Sequence, residues 1–187
     1  MQEDINNAIK TLQEGGVILY PTDTIWGLGC DATNKDAVQK ILDIKKSVDK
    51  KSMLVLLNNI NFIRSYVEYP PEVALDIAEL SEKPTTVIYP DAKNLAENLI
   101  AEDGSIGIRI TSEEFTDKLL QKYRKPIVST SANISGEDFP VNFSEITDYI
   151  KRSVDYIVNF NQEKSMTQVP SSIIKVGSGS QIKIIRE

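Results

Sequence analysis

No histidine occurs anywhere in the 187 residues. That absence excludes Ser-His-Asp and Cys-His catalysis, histidine general acid–base chemistry, and every metal site that needs imidazole. A single cysteine, Cys30, excludes an internal disulfide and a multi-cysteine zinc site. Basic charge is also in short supply, with 21 lysines and arginines against 27 acidic residues and a net charge of −6. A domain that grips tRNA through many phosphates is usually basic, whereas a local basic cleft still suits a small polyanion. No long apolar run is present: Met53 to Leu57 is among the longest and is far too short to span a bilayer. Residues 1–16 lack a basic segment followed by an apolar stretch, so no secretory signal is read there. These absences predict a cytoplasmic protein that avoids membranes. They leave carboxylates, lysines, arginines, hydroxyls, backbone amides and a hard metal carried in by a substrate, which is a toolkit suited to phosphoryl and nucleotide chemistry.

What is present is an ordinary globular balance, 41% hydrophobic and 26% charged, in a length that suits one domain over 1–187. Asp4 is expected to cap a helix with Ile5, Ala8, Ile9 and Leu12 on one face, stopped by Gly15-Gly16. Strands are predicted at 17–20, 53–57, 85–89, 105–110, 126–130, 156–159, 172–176 and 182–185. Helices are predicted at 35–46, 62–67, 72–81, 113–123 and 144–150. This interleaving predicts an α/β fold with one large twisted mixed sheet flanked by helices.

Three segments stand out. Tyr20-Pro21-Thr22-Asp23-Thr24-Ile25-Trp26-Gly27-Leu28 reads as a hydroxyl-rich loop beyond a strand end, where ligands of open α/β sheets often bind. A plain turn, with the threonines bonding local backbone, accounts for it slightly better on spacing alone. The adjoining Gly27-Leu28-Gly29-Cys30-Asp31-Ala32 fits G-x-G-x-x-A, but six residues separate it from the strand and the helix begins only after Ala32. A dinucleotide fingerprint requires its glycines directly between strand and helix, so that reading is rejected. Lys45, Lys46, Lys50 and Lys51 form a basic cluster, most simply a solvated helix end and alternatively a platform for anions. Pro126 to Gly136 runs from an apolar strand into Ser129, Thr130, Ser131, Asn133 and Ser135. Hydroxyls at that density after a core strand are costly to bury without partners, so a functional role is favoured there. Arg109 interrupts an apolar strand and must meet an anion or face solvent. No P-loop motif is present.

In this order the segments resemble the YrdC-like family of threonylcarbamoyl-AMP synthases, from Gly15-Gly16 to Arg186. The resemblance is to the short form. It implies an α/β fold with a concave cleft, and the condensation of L-threonine, bicarbonate and ATP, brought with Mg²⁺, into threonylcarbamoyl-AMP and pyrophosphate. It further implies a separate threonylcarbamoyl transferase complex that passes the group to tRNA, with tRNA met here only indirectly or weakly, and double-stranded RNA binding as a family trait. The family's K-x-R and S-x-N patterns place catalytic roles on Lys45, Ser131 and Asn133. Thr22, Thr24, Trp26, Lys51 and Arg109 are implied to bind substrate, and Lys45, Ser129, Ser131, Asn133, Ser171, Ser172 and Arg186 the nucleotide. No resident metal site is implied.

One position departs: Ser47 stands where the K-x-R pattern has arginine. Serine lacks the bidentate charged fork. Losing such a contact costs about 1.5–3 kcal/mol, a factor of roughly ten to a hundred. A catalytically impaired relative that binds nucleotide or RNA is therefore the alternative reading.

Overall fold

A computed structural model describes residues 1–47, 53–163 and 170–187. The first helix, α1 (Gln2–Gln13), begins one turn earlier than its polar signals suggest. Asp4 lies inside it and does not cap it. Its carboxylate instead accepts hydrogen bonds from the Tyr156 hydroxyl at 2.7 Å and the Asn159 amide at 2.9 Å, joining the helix to residues 152 and 155 positions away in sequence.

Among the described residues nine strands form one sheet: β1 (Ile18–Tyr20), β2 (Gly27–Gly29), β3 (Leu54–Leu57), β4 (Thr85–Tyr89), β5 (Ile106–Ile110), β6 (Ile127–Ser131), β7 (Tyr156–Ile157), β8 (Ser172–Val176) and β9 (Ile182–Arg186). The spatial order is β7-β1-β2-β6-β3-β5-β4-β8-β9. Pairings β1–β7, β3–β5 and β4–β8 are parallel and the others antiparallel. The fold is thus α/β around a large mixed sheet, as the interleaved pattern predicts. One strand was not expected: Gly27–Gly29, read as loop, pairs with both β1 and β6. Its glycines do not hold a pyrophosphate turn; they let three backbones approach closely.

The remaining helices are α2 (Lys35–Ile44), α3 (Ile63–Tyr66), α4 (Glu72–Leu80), α5 (Glu114–Tyr123) and α6 (Asp148–Ser153). Asn34 caps α2 by accepting from the amides of Asp36 and Ala37. Glu113 caps α5 through the Thr116 amide. The expected helix at 144–150 is a short 3₁₀ turn at Phe143–Glu145 followed by α6.

Strand periodicity sorts the side chains onto two faces. On one face Val55, Leu57, Val87, Tyr89, Ile106, Ile108 and Val128 join Ala37, Val38, Ile41 and Leu42 of α2 and Ala74 of α4 in the larger core. On the other, Ile18, Tyr20, Leu56 and Ile127 pack with Ile5, Ala8 and Leu12 of α1 and Phe115 and Leu119 of α5. That second cluster includes no residue of β4, β8 or β9. The uncovered part of the face is where the cleft lies.

Candidate functional site

A cleft of about 980 Å³ occupies this uncovered region. Thr86 and Ile88 of β4, Gly107 and Arg109 of β5, Ser129 and Ser131 of β6, and Ile173 and Lys175 of β8 line it. Each pair is spaced by two along its strand, so the opposite positions, such as Val87 and Ile108, serve the core. Polar residues at 86, 109, 129 and 131 therefore do not interrupt the sheet's hydrophobic pattern; they are its second face.

Arg109 is only 3% exposed and makes an ion pair with Asp23 at 2.7 Å. The expectation that it would need an anion is met from within the chain. Burial pushes the Asp23 carboxyl above its ordinary range, while the Arg109 guanidinium pulls the other way. Arg109 Nε is buried and has no hydrogen-bond partner among the described residues, a donor in want of an acceptor.

Thr22 and Thr24 also line the cleft. Their hydroxyls lie 3.1 Å apart, and the Thr22 hydroxyl donates to the Ile25 carbonyl at 2.7 Å. The segment is a turn stabilised by its own threonines, and that turn forms a wall of the cleft. On the far side the Ser171 hydroxyl bonds that of Thr86 at 2.8 Å. Arg186 donates through Nε and Nη2 to the Ser171 carbonyl at 2.9 and 2.7 Å. Arg186 is therefore an anchored member of the lining and not a frayed end. Burial lowers its pKa, and the nearby charge of Arg109 lowers it further, so two guanidinium groups share one part of the cleft.

At the end of β6, Lys45 meets the alcohol-rich turn. Its ammonium, on a side chain 2% exposed, reaches the carbonyls of Ser131 at 2.7 Å and Asn133 at 2.8 Å, and Asn133 Oδ1 at 3.2 Å. Burial pulls its pKa down to about 8. Ser131 Oγ donates to Asn133 Oδ1 at 2.5 Å, and Asn133 Nδ2 donates to the Glu137 carbonyl at 2.6 Å. The lysine after α2 and the turn near Asn133, far apart in sequence, are thus in direct contact.

Some candidates lie elsewhere. Trp26 does not line the cleft: it is fully buried in the core, with its ring 4.9 Å from that of Phe143. Its indole is the apolar body the sheet packs around, while its carbonyl accepts from the Ala132 amide at 3.1 Å. Ser172 lies one position from Ser171 and Ile173 and is not part of the lining, as strand alternation requires. Lys51 lies outside the described residues. Ser47 closes α2 through its amide, which donates to the Leu42 carbonyl at 3.0 Å.

Two features went unread in the sequence. Asp23 is the partner of Arg109, a pairing across 86 positions that no local pattern signals. Lys175 and Asp103 line the cleft and pair at 2.6 Å. Bonds from Lys175 and Ser105 hold the Asp103 carboxyl low, at about 2.

The hydroxyls and the guanidinium groups of Arg109 and Arg186 suit the binding of a polyanion. No cluster of three or more metal-ligating side chains occurs among the described residues. The cleft carboxylate Asp103 is engaged by Lys175, and Asp23 beside the cleft by Arg109.

A threonylcarbamoyl-AMP synthase of Pseudoalteromonas translucida is 34% identical over 161 residues, spanning 84% of this chain and 86% of the relative. The crystal structure of E. coli YciO superposes with a TM-score of 0.86 at 26% identity, covering all of this chain and 90% of that one. P. abyssi Sua5 complexed with L-threonine superposes with a TM-score of 0.83 at 23% identity, over 92% of this chain but only 50% of that longer one. Residues 10–187 match the family of Sua5, YciO and YrdC, described as telomere recombination, and the chain belongs to that family.

Proposed function

We propose that this cleft condenses L-threonine, bicarbonate and ATP into threonylcarbamoyl-AMP. The observation that carries the reading is the convergence of Arg109, Arg186, Thr22, Thr24, Ser129 and Ser131 on one cleft, in a family whose relatives include named threonylcarbamoyl-AMP synthases. The neutral threonine amine adds to the carbon of bicarbonate, and water is lost to give a carbamate. A carbamate oxygen then attacks the α-phosphorus of ATP, the bond to the bridging oxygen breaks, and pyrophosphate leaves.

The chemical difficulty is electrostatic, because an anionic carbamate must approach a nucleotide carrying about four negative charges. Arg109 and Arg186 offset that repulsion, and Arg109 Nε supplies a donor that has no partner among the described residues. Once a bound nucleotide displaces water from the cleft, these contacts count for more than they would in bulk solvent. Thr22 and Thr24 form the wall that receives the amino acid, and Ser129 and Ser131 face the phosphates. The L-threonine complex of a structural relative is consistent with an amino-acid site of this kind. With a net charge of −6, the protein makes the activated intermediate and leaves tRNA to a separate transferase complex.

Purified protein given bicarbonate and Mg-ATP should release pyrophosphate at a rate that rises with threonine, and Ser131→Ala should lower that rate by more than about tenfold. No threonine-dependent pyrophosphate, alongside an active authentic synthase, would sink the reading. ATP binding by calorimetry without such release would instead fit the impaired nucleotide binder to which Ser47 points.

A further inference from the structure

We infer that Lys45 is a positioning residue: buried behind the turn that follows β6, it fixes the Asn133 turn, holds Ser131 in the cleft wall through it, and does not itself touch phosphate. The inference deepens the proposed reaction, and its kinetic arm rests on that reading.

The case begins with donor counting. A lysine ammonium has three N–H bonds and no acceptor. Three acceptors surround Lys45 Nζ, namely the Ser131 carbonyl, the Asn133 carbonyl and Asn133 Oδ1. With all three protons committed, none is left for a phosphate oxygen, and Lys45 is absent from the residues lining the cleft. The clasp is closed by main chain as well, since the Ser135 amide donates to the Lys45 carbonyl at 3.0 Å. A strand that ends in a tight turn strands its last carbonyls, and buried carbonyls need donors. Lys45 supplies them at two points two residues apart.

The ammonium also sets the polarity of the turn. Asn133 Oδ1 accepts from both Lys45 and Ser131 Oγ. Asn133 Nδ2 is taken by the Glu137 carbonyl. The only proton of Ser131 Oγ is thereby directed into the wall, so the hydroxyl turns its lone pairs toward the cleft. It is set to accept a hydrogen bond, or to meet the magnesium of Mg-ATP, and not to donate to a phosphate oxygen.

No carboxylate among the described residues pairs with this ammonium. The ionisable groups on adjoining elements are Asp43 and Lys46 beside it at the end of α2, Glu137 and Asp138 beyond the turn, and Tyr149 and Lys151 of α6. Its pKa is lowered to about 8 by burial, so the clasp is one that a moderate rise in pH would loosen.

The test has two arms. In ligand-free protein, Lys45→Met should raise amide exchange across residues 131–137 by about tenfold or more while β1 and β3 keep their protection. In steady-state pyrophosphate release, Lys45→Met and Asn133→Ala should each lower kcat by more than about tenfold. The double variant should be no worse than the poorer single one within about threefold, because both act through the same turn. Wild-type kcat should fall as pH rises through about 8, and the Met variant should lack that limb. If the Met variant does not fold, Asn133→Ala alone decides: removing an acceptor from the ammonium should move the basic limb to lower pH. Unchanged exchange in the turn, multiplicative effects in the double variant, or an unmoved limb in Asn133→Ala would each overturn the inference. A wild-type protein that releases no pyrophosphate would sink the proposed reaction and leave the exchange arm to decide this point alone.

Discussion

Replacing Arg109 with methionine should destabilise the protein by about 3–5 kcal/mol and abolish threonine-dependent pyrophosphate release. Arg109 and Asp23 form a 2.7 Å ion pair in which the arginine is 3% and the aspartate 13% exposed. Methionine preserves much of the buried stem but leaves the carboxylate without its cation. Breaking one side of a buried pair is far more costly than replacing both, because the remaining charge has lost both water and partner. Asp23→Asn added to Arg109→Met should therefore recover most of the lost stability in urea denaturation while leaving activity absent.

The pH dependence gives a second check. The Asp23 carboxyl already sits above its ordinary value through burial, and removing Arg109 takes away a side-chain charge that holds it down. In the variant, the folded state then binds a proton across a pH window in which the unfolded carboxyl, with a pKa near 3.9, does not. Stability falls as pH rises through that window, so Arg109→Met should gain on wild type as pH is lowered from 7 toward 5. An Arg109→Met protein as stable as wild type at pH 7, or one that Asp23→Asn fails to rescue, would show that the pair carries no such weight.

Periodic elements were the legible part of this fold. Helix α2 and strand β4 fall where apolar spacing places them, since each buries a face large enough to dominate its local pattern. The cleft's second face was legible in part: Arg109 announced itself as a charge within an apolar strand, and the hydroxyls after Val128 as polarity too dense to bury alone. What escaped depends on pairings between distant segments. Asp23 looks like any turn aspartate until β5 brings Arg109 to it. Lys45 looks like one of several solvated lysines until the β6 turn closes over it. Trp26 sits in sequence between Ile25 and Gly27, which both line the cleft, yet the turn sends its ring the other way, into the core. Neighbours along a chain share a site only when backbone geometry points them to the same side.

The missed strand β2 supplies the second large effect. Gly29→Ala should cost roughly 3 kcal/mol, and Gly29→Val more, with activity falling in parallel. No turn or positive φ explains this glycine; crowding does. A Cβ built on Gly29 would lie 2.6 Å from Tyr20 Cε1, 2.9 Å from the Val128 carbonyl oxygen and 3.2 Å from a methyl of Ile127. The Tyr20 ring is fully buried and cannot swing away, and Val128 O accepts the Tyr20 hydroxyl at 3.3 Å. Gly27, two residues back and opposite Ser131 in β6, lines the cleft, so forcing β2 away from its neighbours distorts the wall that carries Ser131.

The two clashes can be separated. Tyr20→Leu in a Gly29→Ala background removes the ring atom but leaves the backbone oxygen, so thermal denaturation should show partial and not full recovery. Gly104 is the useful contrast: nothing lies within 4 Å of its Cβ position, and only its φ of +76° resists a side chain, so Gly104→Ala should cost about 1 kcal/mol and leave turnover intact. A Gly29→Ala protein that melts no lower than Gly104→Ala would mean that β1, β2 and β6 are not held at the separation that a glycine strand permits, and the cleft wall would lose its structural reason for being where it is.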